Sequence, residues 1–110
     1  CPNCRTRTTR PVDEALAYKE EMGEERTEFH SGTGCNYCAQ TGYRGRIGIF
    51  EVLTMSDALR QLFLADAPRH KLWDQALAEG MSPLRKDGMV KVRQGTTTPY
   101  ELMRVLFSLD

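Results

Sequence analysis

Four cysteines stand in two pairs, and each pair has the spacing of a metal-binding knuckle. Cys1 and Cys4 form one CxxC unit, and Cys35 and Cys38 form the second. Two residues between thiols let both sulfurs reach one ion at about 2.3 Å, and two such units complete the four-sulfur tetrahedron that zinc accepts. The sequence contains no other cysteine. We therefore predict a structural zinc site with these four cysteines as its ligands.

Two disulfides or a redox-active CxxC pair are the alternative uses of these thiols. Disulfides need an oxidising compartment, and no signal peptide or other mark of secretion is visible. A redox CxxC normally lies between a strand and a helix, and neither pair clearly does. His30 is a further possible ligand, but four cysteines already fill the coordination sphere. Because four thiolates leave no position for a catalytic water, the zinc ion would stabilise the fold rather than perform chemistry.

Composition restricts the classes of function. The chain has 110 residues, with 15 Lys and Arg against 15 Asp and Glu. A formal net charge of zero argues against an overall field that attracts nucleic acid or anionic lipid, although a local basic patch stays possible. The longest run of large apolar residues, 62–64, is far shorter than the ~20 residues of a membrane span. Because the sequence starts inside a cysteine motif, we expect a fragment of a larger protein.

The segment between the knuckles is mostly polar. Pro11 predicts the start of a solvated helix, with Val12 and Leu16 among its apolar positions. Acidic residues outnumber basic residues from 13 to 28, which favours a role in solubility over a docking surface. Residues 27–33 predict a short strand or an extended lead-in to the second knuckle.

Residues 46–53 predict a buried strand. Glycines flank a run rich in Ile, Phe, Val and Leu, and apolar residues occupy both alternate sets of positions. This pattern is typical of a strand covered on both faces by helices. Because one strand cannot satisfy its own backbone hydrogen bonds, we expect it to complete the sheet of a larger domain.

The second half of the chain is predicted to be helical. Residues 54–57 fit a capping box for a first helix, and Pro68 begins a second helix that Gly80 ends. Pro83 opens a third helical segment, which the pair 87–88 could break into two.

The last helix has the clearest pattern. Residues 98–101 combine a capping box with Pro99 at the first helical position. Apolar residues then follow at i, i+3, i+4 and i+7, namely Leu102, Val105, Leu106 and Leu109. This spacing predicts an amphipathic helix that packs on its neighbours.

These motifs, in their order and spacing, resemble the C-terminal part of type II secretion and type IV pilus assembly ATPases. The matching pieces are the two CxxC units, the stretch from Gly42 to Leu53, and the tail from Gly80 to Val105. The stretch 91–95 leans towards the secretion branch. The resemblance implies an α+β fragment with a zinc-bound loop, one strand completing a RecA-like sheet of a parent domain, and a small helical subdomain. The implied division is a tetracysteine zinc-binding subdomain at 1–45, and the terminal strand with the helical subdomain at 46–110.

The resemblance also implies the function of the parent protein. It would be a homo-hexameric motor that hydrolyses ATP with Mg²⁺ to drive pilus or pseudopilus assembly for protein export. It would be cytoplasmic and peripheral to the inner membrane, and its partners would be inner-membrane platform and adaptor proteins. This chain has no GxxxxGK[ST] phosphate loop and no acidic strand end for magnesium. ATP and Mg²⁺ would therefore bind only in the parent, and the chain alone would not hydrolyse ATP.

Arg46, and with less support Arg44, are candidates to approach the nucleotide. Enzymes that transfer phosphoryl groups often place an arginine near the developing charge, either in cis or from a neighbouring subunit. A structural ion pair or a solvated arginine at a strand end is the alternative.

A separate zinc module that binds nucleic acid or protein is the main alternative function. Arg5, Arg7 and Arg10 follow the first knuckle and could contact phosphates. The acidic stretch that follows, and the lack of interleaved aromatic residues for base stacking, argue against a nucleic-acid partner. A chaperone-type zinc module would have more CxxC units, and a redox protein would have a thiol of low pKa.

Overall fold

The computed structural model describes residues 1–106 of the chain. Two strands and a first helix precede four further helices, and a short 3-10 turn lies at the second knuckle. The elements are β1 (Arg5–Thr9), α1 (Val12–Met22), β2 (Glu28–Gly32), the turn Asn36–Cys38, α2 (Asp57–Leu64), α3 (Arg69–Ala78), α4 (Leu84–Arg93) and α5 (Pro99–Leu106). The α+β class is thus confirmed, while Leu109 of the predicted apolar stripe lies outside the described residues.

A two-stranded antiparallel sheet brings the two knuckles together. Strands β1 and β2 pair in a register that runs from Arg5 opposite Gly32 to Thr9 opposite Glu28. The first knuckle directly precedes β1, and the second follows β2 after a short loop. The strand predicted within 27–33 is confirmed. Strand β1 was not predicted, because its sequence RTRTT lacks the alternation of apolar and polar residues that marks a half-buried strand.

Helix α1 buries a different face from the one that its apolar residues indicated. Val12 and Leu16 are 74% and 60% exposed, whereas Glu14 and Tyr18 are buried. The ring of Tyr18 meets that of Phe29 edge to face, with 5.2 Å between their centroids. The prediction of a solvated helix is therefore wrong for this face. Periodicity failed here because one of the buried positions carries a carboxylate, which the pattern counted as polar.

One hydrophobic core joins the cysteine-bearing end to helices α4 and α5. Its buried members come from α1, β2, α4 and α5, and they are Tyr18, Phe29, Met89, Val92, Leu102 and Leu106. The predicted break at 87–88 does not occur, because α4 is continuous. Gly88 is instead the place where α5 approaches most closely: a Cβ there would lie 2.6 Å from Cδ2 of Leu102.

Helices α2 and α3 pair with each other and with no other helix or strand of the described chain. Leu59 and Ala76 are their buried residues. Helix α2 is capped by Ser56, whose side chain accepts the Leu59 N–H at 3.1 Å. The chain measures 55 × 27 × 22 Å along its principal axes. The hairpin of α2 and α3 is thus a second packing unit beside the core.

The strand predicted at 46–53 is not formed. Residues 43–56 contain neither helix nor strand, and the one sheet of residues 1–106 consists of β1 and β2. Large apolar side chains in this segment are exposed, including those of Ile47, Phe50 and Val52. The prediction located β-prone residues correctly. A strand also needs a neighbouring strand to pair with, and residues 1–106 provide none beside this segment.

Candidate metal centre

The four cysteine sulfurs converge at one end of the β1–β2 sheet. All four Sγ atoms lie within 4.8 Å of one another. Three of the six Sγ–Sγ separations are 3.8 Å for Cys1–Cys35, 3.9 Å for Cys4–Cys38 and 3.7 Å for Cys35–Cys38. A tetrahedron with metal–sulfur bonds of about 2.3 Å has edges of about 3.8 Å, whereas a disulfide joins its sulfurs at about 2.05 Å. The spacing therefore fits a single ion with four thiolate ligands.

The second knuckle folds tightly around its sulfurs. The Cys35 carbonyl accepts the Gln40 N–H at 2.8 Å, and the Gly42 N–H donates to the Sγ of Cys38 at 3.2 Å. Gly42 has a φ of +84°, and a Cβ on Gly32 would lie only 2.1 Å from the Gly42 carbonyl oxygen. Glycine at both positions therefore lets the knuckle close against the end of β2.

The environment shifts the pKa of two of the thiols in opposite directions. Burial raises the pKa of Cys38, but hydrogen bonds from the Gly42 and Cys35 backbones and from neighbouring thiols outweigh it, so that the pKa falls from 9.0 to about 6. Burial raises the pKa of Cys4, and hydrogen bonds with the sulfurs of Cys35 and Cys38 raise it further. The lowered pKa of Cys38 favours its thiolate, which is the form that binds metal.

His30 lies outside the sulfur cluster. The group of possible ligands found among the described residues holds the four cysteines and no histidine. His30 packs instead against Gly95, where a Cβ would come within 2.9 Å of its Nδ1. Burial lowers the pKa of His30, and the charges of Arg5, Arg7 and Arg26 lower it further. Both effects favour the neutral form of the imidazole.

Glu14 is a buried residue whose structural role was not predicted from the sequence. It is 2% exposed, and its two carboxylate oxygens accept the Nε–H of Arg10 at 3.1 and 3.0 Å. The Tyr100 N–H, at the start of α5, also donates to Glu14 at 2.9 Å. The only signal in the sequence was the i, i+4 spacing of Arg10 and Glu14. The carboxylate thus joins the cysteine-bearing end to α5.

The candidate arginines lie on the exposed segment after the second knuckle. Arg44 and Arg46 line a cavity of about 410 Å³, and Arg104 of α5 lines the same cavity. Sequence reasoning missed Arg104 because it is distant along the chain and belongs to a separate helix. Of the arginines near the first knuckle, Arg5 donates to the Gly95 carbonyl at 2.9 Å, and Arg10 is paired with Glu14.

Sequence comparisons match nearly the whole chain to one protein family. A family model described as Type II/IV secretion system protein matches residues 1–104. The type IV pilus assembly ATPase TfpB of Acinetobacter baylyi is 33% identical over 110 residues, which cover 96% of this chain and 18% of the relative. The type II secretion system ATPase E of Vibrio cholerae is 35% identical over 105 residues, with 96% and 20% covered. The chain thus spans about a fifth of the length of these relatives.

Proposed function

The chain belongs to the Type II/IV secretion system protein family, and we propose that it is the zinc-bearing C-terminal part of a hexameric secretion or pilus assembly ATPase. In this proposal the segment stabilises the motor and couples ATP hydrolysis to partner proteins. Relatives named as ATPases of both systems support it. ATP and Mg²⁺ would bind elsewhere in the parent, which would be cytoplasmic and associated with the inner membrane through platform and adaptor proteins. Among residues 1–106, no helix has the length and apolarity to span a bilayer.

The observation that carries the structural part of the proposal is the spacing of the four sulfurs. Three of their six separations are 3.7 to 3.9 Å, close to the edge of a zinc–thiolate tetrahedron, about 3.8 Å, and all six are within 4.8 Å. A zinc ion there would tie the start of β1 to the knuckle after β2, and its binding free energy would become folding free energy.

The coupling role is supported by the contacts between the cysteine-bearing end and helices α4 and α5. Helix α1 shares a core with α4 and α5, and buried Glu14 accepts a hydrogen bond from the first turn of α5. A partner protein that displaces the cysteine-bearing end would therefore displace α4 and α5 with it. We propose residues 1–45 as the zinc-binding part and 46–110 as the part that joins the motor core, where 46–53 would complete a RecA-like sheet.

A nucleic-acid-binding zinc module is the weaker candidate. Of the three arginines that favoured it, Arg5 donates to a backbone carbonyl and Arg10 is paired with a buried carboxylate. Only Arg7 stays available for a phosphate backbone, and a single contact would give little affinity. A DNA shift assay at low salt tests this alternative, and we expect no binding.

The proposed function is tested in the complete motor protein that carries this segment. We expect Cys35→Ser to abolish zinc binding and to stop secretion or pilus assembly, at protein levels equal to those of the unchanged motor. The matched control is Ser82→Ala, an exposed position before α4, which should retain both. Undiminished secretion by a zinc-free motor would refute the coupling role.

A further inference from the structure

The outward face of α1 exposes the only valine and the only leucine of that helix. Val12 and Leu16 are 74% and 60% exposed, and their i, i+4 spacing puts them on one side of the helix. The opposite side buries Glu14 and Tyr18. This is the reverse of the usual amphipathic arrangement, in which aliphatic side chains turn towards the core and carboxylates towards water. A single exposed apolar residue is ordinary, whereas an exposed pair on a helix that buries a carboxylate indicates a surface that another molecule covers.

Contacts on the opposite side of α1 fix this face in place. The ring of Tyr18 packs against that of Phe29 in the core. The carboxylate of Glu14 accepts hydrogen bonds from Arg10 and from the Tyr100 N–H. A rotation of α1 that turned its outward face towards the core would break these contacts. The face is therefore fixed before a partner binds, which lowers the entropy cost of binding.

Unpaired carboxylates border the apolar pair. Asp13 follows Val12 directly, and Glu20 lies one turn beyond Leu16. Both acidic side chains are exposed, and within residues 1–106 neither forms an ion pair. Lys19 does not offset them, because its ammonium group is paired at 2.9 Å with a glutamate beyond the helix. The outward face thus carries a net negative charge, which favours a partner of positive charge.

The shape of the face favours a partner that is itself a helix. From 12 to 20 the helix rises about 12 Å, or about two turns, and an i, i+4 ridge packs into the groove of a second helix. An extended peptide would gain no main-chain hydrogen bonds here, because the N–H and C=O groups of a helix bond to one another. The acidic excess of 13–28 by itself indicated only solubility, and the exposed apolar pair changes that interpretation.

We propose that the outward face of α1, formed by Val12, Asp13, Leu16 and Glu20, binds a basic amphipathic helix of a partner protein. Apolar side chains of the partner helix cover Val12 and Leu16, while its lysines or arginines pair with the two carboxylates. The assignment of this contact to the coupling of the motor rests on the proposed function. The binding of a basic helix rests on the surface alone.

The test is a titration of the zinc-loaded chain into a fluorescent synthetic peptide, followed by anisotropy at low ionic strength. The peptide consists of lysine and leucine, with leucines at i, i+4 spacing, and has about 15 residues so that it can form a helix. We expect saturable binding that added salt weakens. Leu16→Ser should weaken binding about tenfold, as loss of a central apolar contact does. Glu20→Gln should weaken it about threefold, as expected for an exposed ion pair.

Matched controls make the same changes elsewhere on the surface. Leu64→Ser alters a leucine of α2 that is 82% exposed, and Glu79→Gln alters an exposed glutamate at the end of α3. Both should bind the peptide as the unchanged chain does, and all four variants should retain their zinc. Equal weakening by the controls, or no saturable binding at millimolar peptide, would overturn the proposal. Equal binding of a peptide with glutamate in place of lysine would do the same.

A second copy of this chain is the competing occupant of the face. Sedimentation of the zinc-loaded chain over a range of concentrations tests it, and we expect no self-association that depends on Leu16. Self-association that Leu16→Ser abolishes would place a second copy on this face and overturn the proposal.

The peptide titration separates this surface from the proposed motor function. If the basic peptide does not bind but the complete motor with Cys35→Ser loses secretion, the surface proposal fails and the proposed function stands. If the peptide binds and Leu16→Ser weakens it, while the zinc-free motor secretes normally, the surface proposal stands and the coupling role of the zinc site fails.

Discussion

The cysteine-bearing end, residues 1–38, and the α2–α3 hairpin are stabilised by different interactions. The cysteine-bearing end contains two short strands and a polar helix, and it relies on four clustered thiols, one buried carboxylate and a contact between two aromatic rings. The α2–α3 hairpin has neither metal ligands nor contacts with another helix or strand of the described chain. It relies on helix capping and on the burial of Leu59 and Ala76.

This difference explains why a chain of low mean hydropathy can still be ordered near its cysteines. Few large apolar side chains are available there, so the proposed zinc ion would supply much of the folding free energy. The hairpin contains no cysteine, and its two short helices depend on packing against each other. The two regions should therefore respond differently to the same perturbation.

Removal of zinc should separate the two regions most strongly. We expect a chelator under reducing conditions to unfold residues 1–38, because structural zinc binding contributes about 10–16 kcal/mol in small zinc domains. Amide exchange measured along the chain should show fast exchange there and near-unchanged protection in α2 and α3. Native mass spectrometry of the same sample should show one zinc per chain before chelation. Equal loss of protection in both regions would refute the distinction.

Loss of the buried Glu14 carboxylate should give the second-largest change in stability. Glu14→Ala leaves Arg10 and the Tyr100 N–H without their acceptor, and we expect a loss of roughly 3 kcal/mol in the free energy of unfolding. Urea denaturation followed by tyrosine fluorescence measures it. Glu20→Ala is the matched control, since Glu20 is exposed on the same helix. A difference below ~1 kcal/mol between these variants would contradict the role of Glu14.

Loss of the α2 cap should affect the other region alone. Ser56→Ala removes the acceptor of the Leu59 N–H, and N-cap losses of this kind cost about 1 kcal/mol. Exchange protection should fall in α2 and α3, while zinc stoichiometry should not change. Ser82→Ala serves as the control, because Ser82 caps no helix. A change in zinc binding by Ser56→Ala would show that the regions are coupled.

Acidification should give the smallest change in stability, and it should act on the cysteine-bearing end through His30 of β2. The pKa of His30 is lowered by burial and by nearby arginines, so the unfolded chain takes up the proton at higher pH than the folded chain. The contribution of His30 to stability is therefore complete above the ordinary value of 6.5 and is lost as pH falls from there towards the folded pKa.

Comparison of the unchanged chain with His30→Gln isolates this contribution, because both lose zinc in the same way at low pH. The slope of unfolding free energy against pH, just below 6.5, should be steeper for the unchanged chain. Identical slopes would show that His30 is not held neutral.

The sequence predicted the cluster of four cysteines and most helices, and the reason is that these signals are local. CxxC spacing, Pro68, Pro83 and Pro99 each act within one turn. The burial of Glu14 and the path of residues 43–51 depend instead on contacts with residues distant in the chain. In the sequence, a carboxylate that will be buried cannot be distinguished from an exposed one. Residues 46–53 have the composition of a strand, but they form one only where a neighbouring strand is present.

The most direct test of the central claim is zinc X-ray absorption spectroscopy of the metal-loaded chain. The four-cysteine site predicts a shell of four sulfur atoms at about 2.3 Å and no nitrogen or oxygen ligand. A shell with one imidazole nitrogen or one water in place of a sulfur would contradict the four-cysteine site. Such a result would also open a coordination position that the closed site does not have.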